Sequence, residues 1–345
     1  DMQLLRWLLL PFTILYTFII WVRNKLYDLN ILSSKTFDVK TIVIGNLAVG
    51  GAGKSPLTQK LIDHFRNKYK VATLSRGYGR KTKGFRLVQV DDLVENVGDE
   101  PLQFKKNFPD ITITVDENRA EGIEILSKDH DLILLDDAYQ HRKVKPSTSI
   151  LVFEYQSILE PIFLLPTGQY RDTFDQTKRA NLILISKCPD YIPFENKLKI
   201  QEKIRKHNST ASIYYSRIGY KEWISLNNTD IERPISKKNI LLVTGIANPK
   251  PLVQQLSGQG IKLKHLKFAD HHNFDDFDYK VIIGRFEKLN ENKDAVLLTT
   301  EKDAQRLDME RLKDIPTYYI PIDILIENEN EFFLELDSSL EKIQS

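Results

Sequence analysis

The sequence predicts an α/β protein of two unequal lobes preceded by an apolar helix. Three observations carry that reading. Short apolar runs recur at 39–44, 71–74, 111–115, 132–135, 150–153 and 182–185, with helical or loop segments between them. That alternation is the pattern of a parallel sheet covered on both faces. A second alternating series begins at 240–245, after a stretch (225–238) short of apolar periodicity. Residues 4–22 are almost wholly apolar.

The N-terminal run LLRWLLLPFTILYTFIIWV is followed by Arg23 and Lys25. At about 1.5 Å per residue a helix of this length reaches about 28 Å, close to the ~30 Å hydrocarbon core of a bilayer. Arg6, Thr13, Thr17 and Asn24 nevertheless fall in one stripe about 40° wide at 100° per residue. Trp7 and Trp21 stand near opposite ends, as interfacial anchors do. A polar stripe, with Pro11 near the start, suits a helix lying in one leaflet or docked on its own domain, and 1–28 is expected to be membrane-associated. No small-x-small cleavage site follows the run, which argues against a secretory signal.

The first lobe is expected over 29–215. Its most informative stretch is TIVIGNLAVGGAGKSPLT (41–58), where a β-branched run enters a glycine-rich loop closing on Gly53-Lys54-Ser55. Pro56 follows, in the first turn of a helix. Strand, glycine loop, lysine, hydroxyl and helix start make a phosphate-cradling P-loop, so the lobe is P-loop NTPase-like. Gly50, Gly51, Ala52 and Gly53 would line backbone N–H groups on phosphate oxygens. Lys54 would neutralise the β- and γ-phosphates, and the Ser55 hydroxyl would ligate Mg²⁺. The strict pattern asks for glycine at 48, where this chain has Ala48; Gly50-Gly51 supplies the flexibility.

Within the same lobe, Leu132–Leu135 ends in Asp136-Asp137, an apolar strand closing on acids at the carboxyl edge of the sheet. These are the expected holders of Mg²⁺ or of a water on it. Gln140 and His141, in the following Gln-His-Arg-Lys run, are positioned to reach a phosphate. Solvated charge is the alternative there. Gly98-Asp99-Glu100-Pro101 carries two acids, readable as helix capping or as a base for an alcohol acceptor with a further metal candidate in Glu100. Arg76, on the glycine-hinged loop SRGYGR (75–80), suits phosphate gripping.

A linker is expected over 216–238, a second α/β domain over 239–317, and a return strand with a C-terminal helix over 318–345. Phe268-Ala269-Asp270-His271-His272-Asn273-Phe274 is its histidine-dense segment. Adjacent histidines usually point apart, so a single imidazole tuning a carboxylate is the better reading than a shared metal. Thr300-Glu301-Lys302-Asp303 has helix-capping spacing. The cleft between the lobes is the natural place for a site.

Composition bounds the partners. The 345 residues hold 49 basic and 47 acidic side chains, a near balance that gives no reason to expect nucleic-acid binding. The one cysteine, Cys188, excludes an intrachain disulfide and a cysteine-based metal cluster. No protein partner is implied.

Together these stretches resemble the tetraacyldisaccharide 4'-kinase family, inner-membrane enzymes of lipid A biosynthesis. The blocks are GNLAVGGAGKSP (45–56), LSRGYGRK (74–81), VGDEP (97–101), LDDAYQH (135–141), LLPTGQYRD (164–172), VTGIANP (243–249), FADHHNF (268–274) and TTEKDAQR (299–306), in family order along nearly the whole chain. The resemblance implies ATP- and Mg²⁺-dependent phosphorylation of the 4'-hydroxyl of an acylated glucosamine disaccharide 1-phosphate, at the cytoplasmic face of the inner membrane. It also implies that Asp99 is the general base, paired with His271, that Asp136 and Asp137 are the metal-side acids, and that Arg171 has a place at the site. Ala48 and Ala52 stand where similar proteins often carry hydroxyls, and Ala138 where glycine is usual; none removes a charge the mechanism needs.

The alternative is a membrane-associated P-loop GTPase or ATPase. Guanine-specific proteins usually carry Asn-Lys-x-Asp at a strand end, whereas this chain offers Ser186-Lys187-Cys188-Pro189-Asp190. Membrane-partitioning ATPases carry a lysine before the paired glycines, where Val49 stands.

Overall fold

The fold is described from a computed structural model covering residues 8–227, 239–258, 262–270, 272–291 and 294–341. It divides into two compact units, one of residues 1–219 with 324–345 and one of 220–323. The segment 216–238, read as a linker, therefore begins as strand, since Ser212–Tyr220 is extended throughout.

Among the described residues of the first unit, nine strands form one sheet. In chain order they are β1 (Lys40–Gly45), β2 (Val71–Ser75), β3 (Arg86–Leu87), β4 (Thr112–Val115), β5 (Leu132–Asp136), β6 (Thr148–Glu154), β7 (Leu182–Ser186) and β8 (Ser212–Tyr220). The ninth, Ile322–Ile326, comes from near the C-terminus, and the spatial order runs from it through β8, β7, β6, β1, β5, β2 and β4 to β3. From β8 to β4 all pairings are parallel, and both edges are antiparallel: β3 on β4, and Ile322–Ile326 on β8, flanked by Lys221 N–H donating to the Pro321 carbonyl and Glu327 N–H to the Tyr215 carbonyl. The central strands are buried along their whole length because helices cover both faces.

β1 lies between β5 and β6, with Ile44 level with Asp136 on one side and Ile150 on the other. The register brings the glycine loop and the Asp136-Asp137 pair to one carboxyl edge, where a parallel sheet binds its ligands. The Lys54–Phe65 helix leaves the loop and buries Leu57, Leu61, Ile62 and Phe65. Its outer side is backed by the C-terminal Glu329–Glu341 helix, through Lys60–Glu329 at 2.9 Å and the stacking of His64 on Phe333.

The Leu10–Asp28 helix wears its polarity inside out. Thr13 and Asn24 are buried, while Phe12, Ile14, Leu15, Phe18, Ile19 and Trp21 face outward. Polar contacts hold the inner face. Thr13 pairs with Thr167 at 2.7 Å, Tyr16 donates to the Arg171 carbonyl, Arg23 donates to the Gln140 carbonyl at 2.7 Å, and Asn24 donates to Asp172 at 2.8 Å. No described helix is long and apolar enough to cross a membrane.

The second unit is its own parallel sheet. β10 (Asn239–Thr244) lies between β11 (Lys262–Lys267) and β12 (Ala295–Thr300), which pairs with β13 (Thr317–Ile320); the two-residue β9 (Ile224–Ser225) closes the edge antiparallel. Thr300 caps the short Glu301–Ala304 helix by accepting from the Asp303 N–H, the capping role its spacing suggests. His272 pairs with Asp278 at 2.6 Å within this unit, and His271 lies outside the described residues. The return segment 318–345 is not one strand: Pro321 separates β13 from Ile322–Ile326, and the two belong to different sheets.

Candidate active site

The site is built on the carboxyl edge of β1 and β5. Gly45 ends β1 because nothing larger fits; a β-carbon there would come within 2.5 Å of the Tyr139 β-carbon. The turn carrying Asp137 and Gln140 thus closes directly on the strand that feeds the loop. Gly53 enters the Lys54–Phe65 helix in the left-handed conformation (φ +81°), the conformation that lets backbone N–H groups turn toward a ligand.

Two clusters meet beside Lys54. In the first, Lys54 Nζ donates to Asn46 Oδ1 at 3.1 Å and lies 3.7 Å from Asp137. Arg171 grips the Asp137 carboxylate with both guanidinium ends, one of them at 3.2 Å, and donates to Asn46 Oδ1 at 2.7 Å. Gln140 ties the same residue from the backbone, donating to the Asn46 carbonyl at 2.7 Å. Burial opposes ionisation of Asp137, but Lys54 and Arg171 outweigh it and hold the carboxyl below its usual range.

In the second cluster, the Ser55 hydroxyl donates to Glu100 at 2.7 Å and the Thr58 hydroxyl donates to Asp136 at 3.2 Å. Asp136 is 1% exposed. Burial, then the charges of Glu100 and Asp137, push its carboxyl up to about 7. Among the described residues no three acid, histidine or cysteine side chains form a cage for an ion. Mg²⁺ needs no such cage, since it is bound through one or two carboxylates, waters and substrate phosphates. A buried acid crowded by two others, beside a serine hydroxyl, is a donor set that fits a divalent cation.

Asp99 and Glu100 open the Asp99–Asn107 helix, and Asp99 is buried. Gly98 (φ +92°) sets their approach to the Arg76 loop, since a β-carbon there would lie 3.0 Å from the Tyr78 carbonyl oxygen. Arg76 is exposed, and its side chain makes no hydrogen bond or ion pair with the described residues. Burial, with Arg119, Arg76 and Arg23 nearby, pushes His141 down to about 4, so the imidazole is neutral at physiological pH.

Residues of three kinds were not singled out from the sequence. Asn46 is the hub between Lys54, Arg171 and Gln140, and Thr58 is the partner of Asp136. Arg119 is 2% exposed, donates to the Asp116 carbonyl and feels the charges of Asp137 and Asp136. Asn46 and Thr58 flank the P-loop and their positions invited notice; nothing local marks Arg119. Arg142, by contrast, is spent on the N-terminal helix, donating to Asp28 at 2.7 Å and to the Asn24 carbonyl.

Comparison with known proteins decides the family. The sequence profile of tetraacyldisaccharide-1-P 4'-kinase matches residues 5–341. The chain belongs to the tetraacyldisaccharide 4'-kinase family. It is thereby a kinase of lipid A biosynthesis. The tetraacyldisaccharide 4'-kinase of Flavobacterium johnsoniae is 41% identical over 336 residues, covering 96% of each chain. That of Phocaeicola vulgatus is 39% identical over 343 residues, covering 95% of this chain and 93% of its own. Among solved structures, the "apo" form of LpxK from Aquifex aeolicus in complex with ATP is 25% identical with a TM-score of 0.75, covering 97% of this chain and 99% of that one. The guanine-reading alternative finds no support in the Ser186–Asp190 loop: Asp190 is engaged with Arg217 at 2.6 Å in a solvent-exposed pair.

Proposed function

We propose that this kinase transfers the γ-phosphate of ATP to the 4'-hydroxyl of a tetraacylated glucosamine disaccharide 1-phosphate, yielding lipid IVA, at the cytoplasmic face of the inner membrane. The observation that carries the reading is the convergence of Lys54, Ser55, Glu100, Asp136, Asp137 and Arg171 on one sheet edge at the mouth of a P-loop.

In this reading the P-loop N–H groups of Gly50–Ser55 and the Lys54 ammonium bind the β- and γ-phosphates. Ser55, Asp136, Asp137 and Glu100 are the residues that would hold Mg²⁺, which supplies charge neutralisation on those phosphates. Lys54 is already steered by Asn46, and Arg171 keeps Asp137 ionised, so the charges are set before substrate arrives. Asp99 accepts the proton of the sugar hydroxyl as it attacks, while Arg76, Gln140, His141 and Arg171 are proposed for the acceptor side. His271 stays in the proposal as the partner of Asp99 on the family resemblance alone. The outward apolar face of the Leu10–Asp28 helix supports a monotopic seat in one leaflet, beside acyl chains of the acceptor.

The test is transfer of labelled γ-phosphate from ATP to purified disaccharide 1-phosphate in detergent micelles. Lys54→Ala should nearly abolish it. Full activity in that variant, or hydrolysis of ATP indifferent to acceptor, overturns the reading.

A further inference from the structure

The loop after β7 has no part in the chemistry above, yet it touches the P-loop at several points. The Ser186 hydroxyl donates to the Ala52 carbonyl at 2.7 Å and to the Phe153 carbonyl at 3.2 Å. A β-carbon on Gly53 would lie 3.5 Å from that of Ser186. The next residue, Lys187, takes a left-handed backbone (φ +55°), uncommon for a non-glycine residue and a marker of local function when it persists. Its ammonium lies 4.0 Å from where a Gly51 β-carbon would stand and 3.2 Å from Glu154 Oε1, at the end of the neighbouring strand β6. Both side chains stay partly exposed, at 26% and 36%. A small cavity next to Glu154 is lined by Val49, Gly50, Ala52, Glu154, Ser157 and Gln169.

We propose that the Lys187–Glu154 pair seats the ribose of the nucleotide beside the P-loop. This rests on the reading of the loop as an ATP site. A triphosphate held by Gly50–Ser55 must lead its nucleoside away from the loop on one side of β1. The β5 side is filled by Asp136, Asp137 and Arg171. The β6 side offers an ammonium and a carboxylate together. Ribose presents a ring oxygen that accepts and two hydroxyls that donate, so Lys187 matches the first and Glu154 the second, as an acid matches ribose in dinucleotide sites. The pair also holds itself in place before the sugar arrives, which lowers the ordering cost of binding.

The experiment measures binding to the full chain with Mg²⁺ by calorimetry, using ATP, 2',3'-dideoxy-ATP and inorganic tripolyphosphate as probes. Lys187→Ala should weaken ATP about tenfold while tripolyphosphate changes by less than about twofold, and Lys187→Arg should recover most of the loss. Glu154→Gln should erase the preference of the wild type for ATP over the dideoxy nucleotide. Equal losses for ATP and tripolyphosphate in Lys187→Ala would overturn the proposal, since the residue would then act only by shaping the loop. So would a ribose preference untouched by Glu154→Gln. A wild type that binds neither ATP nor tripolyphosphate sinks the P-loop reading itself, a different failure.

Discussion

The Tyr16 hydroxyl donates to the Arg171 carbonyl at 2.9 Å, and the guanidinium of the same Arg171 grips Asp137. One residue therefore joins the N-terminal helix to the charge network around Lys54. Tyr16→Phe removes that link without a large change of volume, at a cost of about 1 kcal/mol of stability. Asn24→Ala strips the donor from buried Asp172 and should cost more, about 1–3 kcal/mol. Thermal midpoints order the two, and a smaller shift for Asn24→Ala would contradict the buried contact.

Arg171→Ala leaves Lys54 as the remaining ion-pair partner of Asp137 and Asn46 Oδ1 without its second donor. Phosphate transfer should fall about 100-fold or more, as when a preorganised charge is removed. Arg171→Lys should recover little, since an ammonium does not reproduce the two-ended grip. Steady-state kcat in micelles decides it.

Asp136 ties folding to pH. Its folded value of about 7 stands above the ordinary 3.8, so between these the folded chain binds more protons than the unfolded. Stability contributed at this position accordingly falls as pH rises through that window. Asp136→Asn removes the effect. Without nucleotide or metal, the variant's thermal midpoint should gain on the wild type from about pH 5 to about pH 7.5. A gap that stays constant refutes the shift.

Asp99→Ala should lower kcat by about 100-fold or more while leaving the ATP dissociation constant within about twofold, as loss of a base predicts. Unchanged turnover removes Asp99 from that role.

Phe18→Ser and Ile19→Ser alter exposed side chains, so the thermal midpoint should move by less than about 0.5 kcal/mol equivalent. Binding to anionic phospholipid vesicles, read by co-sedimentation, should drop markedly. Retained binding would argue against this face as the lipid contact.

What was readable in the sequence was what is local. The P-loop, the acid pair ending β5 and the cap at Thr300 are each set within a few residues, so pattern and spacing found them. The stripe of Thr13, Thr17 and Asn24 was visible too, but not that it would be docked on the loop of Arg171. The Asn46–Arg171 contact joins residues 125 apart in the chain, and Gln140 reaches Asn46 across 94. No window of sequence contains both ends. Arg119 escaped for a similar reason: its meaning comes from the acids around it in space. Pro321 was visible as a residue, yet that it divides two sheets depends on the partner strands.

The ninth strand of the first sheet has a consequence for how the protein is made. Ile324, Ile326, Phe332, Leu336 and Leu340 complete the same apolar cluster as Ile42, Ile44, Leu61 and Phe65. These closing pieces leave the ribosome after every residue of the second unit. The nascent nucleotide-binding half therefore waits with that face uncovered, which makes it a client for chaperones. A premature stop shortly after Pro321 would release a chain with its P-loop intact and its hydrophobic wall open to aggregation.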